Sequence, residues 1–217
     1  GVGDPAREQQ FAAQAQCFEA DFGTFIGTGD DVLLPSVAMN INFPMGGTFA
    51  TYDHVQINTN GCAFLWNGVG TPVGTLATGY SASAATMVAN MQGTPGGSPR
   101  ISPYWRDLDA AQVYVNTNIP GKCTITWANA LDWQFGGTPF TFQAQLFATG
   151  EVQFLYDAAS VNLSVTPLAG ISQGGGIADP GASDLSVATS GVSTSRFVYE
   201  TWATASTFDL TSMLVSF

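Results

Sequence analysis

Acids are the residues of this chain best equipped for chemistry: sixteen Asp and Glu, against five Lys and Arg and one His. Asp30 and Asp31 follow Gly29 in a turn-like stretch, and Asp107 and Asp109 stand two residues apart in "RDLD". Calcium takes several oxygen ligands, carboxylate and carbonyl, from loops of this kind. Neither stretch matches the D-x-D-x-D-G loop, and paired acids are more often solvated turn residues. The expectation is therefore no cofactor, with calcium at Asp30, Asp31, Asp107 and Asp109 as the candidate exception. Carboxylate pairs for glycoside hydrolysis are defined by their separation in space, which spacing along the chain does not give.

Nucleophilic catalysis fares worse. "TLATGYSASAAT" (75–86) resembles a strand-elbow-helix with Ser81 as nucleophile and Ser83 in the last position of G-x-S-x-G. That class places its His after the acid, yet His54 precedes Ser81. A chymotrypsin-like order from His54 needs a G-D-S-G-type loop, and the chain has none. Ser81 reads as a small-residue helix entry and His54, between Asp53 and Val55, as a hydrogen-bonded structural residue. No catalytic residue is assigned, and the chain is not read as an enzyme. One His and three scattered Cys also exclude a transition-metal cluster.

Cys62-x-Phe64-x-Trp66 and Cys123-x-Ile125-x-Trp127 share a pattern that puts each thiol on the face of two large apolar residues. A Cys62–Cys123 disulfide is the expected pairing; two buried free thiols are the alternative. Five tryptophans, Trp66, Trp105, Trp127, Trp133 and Trp202, offer sugar-stacking surface. In a sandwich of this size most of them are core. Trp133, in the loop-like "DWQFGG", is the ligand-stacking candidate.

Charge narrows the partners. Charged residues make up 10% of the chain, against roughly 25% in an average globular protein. Lys122 is the sole lysine, and the net charge is −11. Nucleic acid, which needs clustered Lys and Arg, is excluded as a partner, and an anionic membrane surface is disfavoured for the same reason. No apolar run reaches the length of a membrane span. The start Gly1-Val2-Gly3-Asp4 and a surface rich in Thr, Ser, Asn and Gln read as a mature secreted chain, and Asn162-Leu163-Ser164 is a formal glycosylation sequon.

These side chains must be positioned by strands. In "FTFQAQLFATGEVQFLYDAA" (140–159), Phe140, Phe142, Ala144 and Leu146 alternate with Thr141, Gln143 and Gln145. After a turn at Ala148-Thr149-Gly150, Val152, Phe154 and Tyr156 alternate with Glu151, Gln153 and Asp157. A side-chain period of two makes this a hairpin with one buried face and one amide-rich face. Amides can meet water or another protein without the desolvation cost of charge. Further strands are expected near 37–43, 52–58, 62–67, 112–117, 122–127, 166–172, 196–203 and 207–217, with turns at 59–61, 95–97, 135–137 and 173–176. Residues 4–20 form the one clear helix, capped by Asp4 and striped by Phe11, Ala15 and Phe18; a small helix at 80–91 is the possible second. The fold class is all-β, an antiparallel β-sandwich over 23–217 preceded by a helical extension over 1–22.

Between roughly 43 and 175 the order of motifs resembles the nidogen-type extracellular domain and related bacterial secreted sandwiches. "FPMGGTFATYDHVQINTNGCAFL" (43–65) is similar to that family's opening strands and Asn-Gly turn. "RISPYWRDLD" (100–109) resembles its proline-aromatic-Trp-acidic segment, and "PLAGISQGG" (167–175) its closing glycine-rich strand. The resemblance implies a sandwich in an extracellular setting and supplies no catalytic residue.

The function expected from all this is a secreted, non-enzymatic structural subunit that self-associates into a homo-oligomer or homopolymer. Phe11, Phe18, Phe208, Leu210, Leu214 and Phe217 are its assembly candidates, since Lys-poor sheet edges lack the usual guards against pairing. Two alternatives stand beside it: an adhesion module binding a glycan or matrix protein, and a hydrolase using paired carboxylates.

Overall fold

A computed structural model of the chain describes residues 18–45, 51–68, 80–84, 87, 99–109, 111–133, 136–157, 166–174, 177–187, 197–203, 206–210 and 215–217. The strands are β1 (Thr24–Gly27), β2 (Val37–Pro44), β3 (Thr51–Asn58), β4 (Cys62–Trp66), β5 (Arg100–Trp105), β6 (Leu108–Asp109) and β7 (Gln112–Asn116). There follow β8 (Lys122–Asp132), β9 (Gly136–Phe147), β10 (Val152–Tyr156), β11 (Leu168–Ser172), β12 (Phe197–Thr201) and β13 (Val215–Ser216). Sheet I runs β1-β7-β8-β9-β10-β13, with β6 also on β8, and sheet II runs β12-β11-β5-β4-β3-β2. Every pairing between these strands is antiparallel. The chain is an all-β sandwich.

Period-two alternation builds its interior. Leu146 opposes Val152, Ala144 opposes Phe154 and Phe142 opposes Tyr156 across the β9–β10 hairpin. On the other side Cys123, Ile125 and Trp127 of β8 oppose Leu146, Ala144 and Phe142. All nine side chains are buried. Trp127 stacks on Phe142 at 5.2 Å, and burial of each such large side chain contributes about 1.5–3 kcal/mol. Two hydrogen bonds cross between the layers: Trp127 Nε1–H donates to the Asn58 carbonyl (2.9 Å) and the Tyr156 hydroxyl to the Pro103 carbonyl (2.7 Å). Each satisfies the polar end of a buried aromatic residue.

Strands β4, β5 and β11 of sheet II are buried on both faces, whereas β2 at its edge alternates buried and exposed. Val55, Ile57, Ala63, Leu65, Ile101 and Ala169 face sheet I. Cys62, Phe64, Trp105, Leu168, Phe197 and Tyr199 form a second cluster on the outward face with Met87. Met87 and Ala84 are helical, and Met87 N–H donates to the Ser83 carbonyl (2.9 Å). The rest of the helix expected at 80–91 lies outside the described residues, as does the helix at 4–20 up to Cys17. Phe18, Glu19 and Ala20, the end of that predicted helix, are not helical.

The sequence pattern missed β1, β5 and the two-residue β6 and overextended the last strand. In β5 Pro103 interrupts "RISPYW", and a proline argues against a central strand because it lacks the N–H for the ladder. Here the register between β5 and β11 shifts between Leu168 and Gly170, beside the proline. In 207–217 only Val215–Ser216 are strand among the described residues; Asp209 and Leu210 form a turn.

The amide-rich face of the hairpin does not stay wet. Gln143 is 0% exposed, Gln145 3% and Gln153 6%. Glu19 donates its N–H to Gln143 Oε1 (2.9 Å) and accepts from Gln143 Nε2 at its carbonyl (2.8 Å). Lys122 Nζ meets Glu19 Oε2 at 2.8 Å, and Asn116 Nδ2 donates to the Asp21 carbonyl (2.8 Å). Residues 18–23, ahead of β1, are therefore docked on the outer face of sheet I through Glu19 and Asp21.

Candidate functional site

The turn between β3 and β4 organises the polar region. Asn60 is fully buried. Its carbonyl accepts Arg106 N–H (3.0 Å), its Oδ1 accepts Leu108 N–H (2.9 Å), and its Nδ2 donates to Asp31 Oδ1 (2.7 Å). Thr59 holds the neighbouring loop from the same turn: its Oγ1 accepts Val32 N–H (2.9 Å) and its own N–H donates to the Val32 carbonyl (3.0 Å). One asparagine thus ties the Asp30–Asp31 loop to the segment carrying Asp107.

The consequence is a cluster. Carboxylate oxygens of Asp30, Asp31 and Asp107 all lie within 4.8 Å of one another. Asp109 stands outside that group, but its charge reaches Asp30. Desolvation, then repulsion from Asp31 and Asp109, holds the Asp30 carboxyl above its ordinary range. Burial raises Asp107 first, and the charges of Asp31 and Asp30 add to it against the opposing pull of Arg106. Three carboxylates at this spacing can supply oxygen ligands to a hard divalent cation.

A cleft of about 230 Å³ adjoins them, lined by Tyr80, Ser81, Ala82, Arg106, Asp107, Asp132 and Thr166. The pairing of Leu108 with Asp132 and of Asp109 with Leu131 brings the end of β8 to this segment. Arg106 Nη2 forms a buried ion pair with Asp132 Oδ2. Tyr80 is 59% exposed and Trp133 52%, each a large aromatic left to solvent. Trp133 follows Asp132 and donates its backbone N–H to the Asp107 carbonyl (3.4 Å).

A second acidic group, Asp184, Glu200 and Asp209, has no counterpart in the sequence reading. Its members come from a loop, from β12 and from the turn after it, and no local motif joins them. Glu200 Oε2 accepts Leu185 N–H (2.7 Å), and Asp209 Oδ1 accepts Trp202 Nε1–H (2.9 Å). Desolvation, aided by Asp209 and Asp184, lifts the Glu200 carboxyl from 4.5 to about 7. A raised acid favours the protonated native state, so its stabilisation is full below pH 4.5 and is lost as pH rises through 7. Discounted for solvent screening, the effect is about 1–2 kcal/mol. Glu200→Gln, which keeps an acceptor for Leu185, should raise Tm at pH 8 and flatten the loss of Tm between pH 5 and pH 8. Parallel Tm curves for variant and wild type would remove Glu200 as the cause.

The other predicted residues fall apart in space. Cys62 and Cys123 are free thiols, so the expected disulfide is corrected. Cys62 belongs to the outward cluster of sheet II and Cys123 to the core between the sheets, so sheet II's own thickness intervenes. His54 Nδ1 lies 2.7 Å from Asp53 Oδ1, whereas Ser81 lines the cleft. Trp105, Trp127 and Trp202 are buried, Trp66 is half-buried with its Nε1–H on Ser36 Oγ (2.7 Å), and Trp133 is exposed.

Of the assembly candidates, Phe208 and Leu210 are buried in the chain's own core. Phe217 packs on Phe154 at 5.1 Å, and it exchanges backbone hydrogen bonds with Val152 (3.0 and 3.2 Å). Phe18 is half-buried beside Phe22 at 6.3 Å. Phe11 and Leu214 lie outside the described residues.

Two antiparallel sheets with a loop-built polar cleft define a β-sandwich domain of the kind that carries its function in its connections. The chain belongs to the NIDO-related family, whose model matches residues 9–217. That match reaches beyond the 43–175 stretch of recognisable motifs, into the segment before β1 and the strands after 190. Membership points to an extracellular domain. No curated protein and no solved structure matches the chain. Among the described residues no helix is long and apolar enough to cross a membrane.

Proposed function

We propose that this chain is a secreted, non-enzymatic binding module that takes a hydroxyl-rich glycan in the cleft beside Asp107. The observation that carries the reading is an exposed aromatic, Tyr80, in the lining of a cleft with polar groups from separate loops, with exposed Trp133 next along the chain from the lining residue Asp132. An aromatic face covers the C–H surface of a sugar while carboxylates and hydroxyls bond its hydroxyl groups. Among the described residues that line the cleft the second carboxylate, Asp132, is paired with Arg106, which argues against a pair of free acids facing each other for hydrolysis. Asp30, Asp31 and Asp107 make a divalent cation the natural adjunct of such binding. Self-association, which composition favours, is the second reading: β13 pairs with β10 within the chain and stands at the edge of sheet I.

The test is a glycan array followed by titration of the strongest oligosaccharide with and without calcium. Trp133→Ala and Tyr80→Ala should each weaken binding by about tenfold or more, with Tm unchanged. Binding that survives both substitutions, or release of shortened oligosaccharides on incubation, would overturn the reading.

A further inference from the structure

The outward face of sheet II holds buried polar atoms that the described residues leave unsatisfied. Gln56 Oε1, Asn58 Nδ2, Arg100 Nε and Nη1, and Ser102 Oγ have no hydrogen-bond partner among the described residues. All belong to one face: Gln56 opposes Phe64, which opposes Arg100, while Asn58 opposes Cys62 and Ser102 opposes Gly170. Native interiors leave few such atoms unpaired, and four residues together mark a place whose partners come from outside.

Arg100 is the centre of that group. It is 1% exposed, with its guanidinium carbon 4.4 Å from the ring centroids of both Phe64 and Trp105. The two ring faces stabilise the cation but occupy none of its N–H groups in the guanidinium plane. No carboxylate among the described residues pairs with it. The chain does not lack acids, which outnumber its bases sixteen to five. The neighbouring Cys62 thiol is kept neutral by burial, so it supplies no counter-charge.

We propose that Arg100 and Ser102 form a receptor for a small planar monocarboxylate on the outward face of sheet II. A carboxylate answers the guanidinium fork with charge-assisted hydrogen bonds and leaves an oxygen for a hydroxyl donor. Phe64, Trp105 and the stacked pair Phe197–Tyr199, 4.4 Å apart, favour an aromatic body. A dianion such as sulfate or phosphate brings a second charge that these apolar walls cannot pair. The described side chains packed against the cluster from outside its strands are Leu33, Ala82, Ala84, Met87 and Ile177, all apolar, and the flexible Met87 thioether can yield to a ligand.

Thermal unfolding of the full chain in sodium benzoate, against acetate, phosphate and sulfate at matched ionic strength, tests this. Benzoate should raise Tm saturably and beyond the salt controls, and should move the Arg100 Nε–H resonance. Ser102→Ala removes a hydroxyl that bonds nothing, so the unliganded Tm holds while benzoate binds roughly three- to tenfold more weakly. Arg100→Met keeps an apolar stem between the rings and loses the response. A benzoate effect no larger than sulfate's, or an equal response in both variants, overturns the proposal. If Arg100→Met does not fold, an Nε–H signal unmoved by benzoate in the wild type overturns it instead.

Discussion

Arg106→Met should destabilise the fold by about 3–5 kcal/mol, because it leaves Asp132 buried without its ion partner. For a chain of this size that is a fall in Tm of roughly 10 °C. The double variant Arg106→Met/Asp132→Leu should recover most of the loss, since replacing both members of a buried pair by apolar residues is often neutral. Urea unfolding of the wild type, both single variants and the double variant closes the cycle. A double variant no more stable than Arg106→Met would mean that the guanidinium acts through other contacts. The cycle also bears on the cleft, because Arg106, Asp107 and Asp132 line it together.

Where one sheet face is buried and the other polar, the strands could be read from the residues. The β9–β10 hairpin is such a case: Phe142, Ala144 and Leu146 can face only one way, and the register follows. The same logic fails in the middle of sheet II because both faces of β4 and β5 are buried. Cys62, Phe64 and Trp66 alternate as strictly as Cys123, Ile125 and Trp127, yet the first set faces outward and the second faces the core. Parity says which residues share a face and is silent on which face meets the other sheet. That is why two thiols with the same neighbours in sequence never approach each other.

The acidic cluster divides along a similar line. Asp30, Asp31, Asp107 and Asp109 were legible as loop carboxylates from their Gly and Leu neighbours. Their meeting was not, because it depends on Asn60, a residue that reads only as part of a turn. Its three hydrogen bonds join segments distant along the chain. Asp184, Glu200 and Asp209 show the same limit more strongly: each sits in its own local context, and the loop around Asp184 meets β12 through the Ser183–Tyr199 and Leu185–Glu200 hydrogen bonds.

The turn that carries Asn60 should also be the least forgiving position in the chain. Gly61 has φ +80°, and a Cβ there would lie 1.8 Å from the Tyr104 carbonyl oxygen and 3.2 Å from Phe142 Cζ. The first contact is with backbone of β5, which cannot move without parting from β4 and β11. Gly121, in the turn before β8, has φ +77° and nothing within 4 Å of its notional Cβ. The two glycines share a backbone conformation and differ in close approach, so each is the other's control. Gly121→Ala should cost about 1–2 kcal/mol, the penalty of an L side chain in the left-handed region. Gly61→Ala should cost more than about 4 kcal/mol, which few single substitutions reach. It should also loosen the acidic cluster, because Asn60 is its anchor. Urea midpoints for the two variants decide it: equal losses would show that backbone conformation alone, and not the contact with Tyr104, fixes glycine at 61.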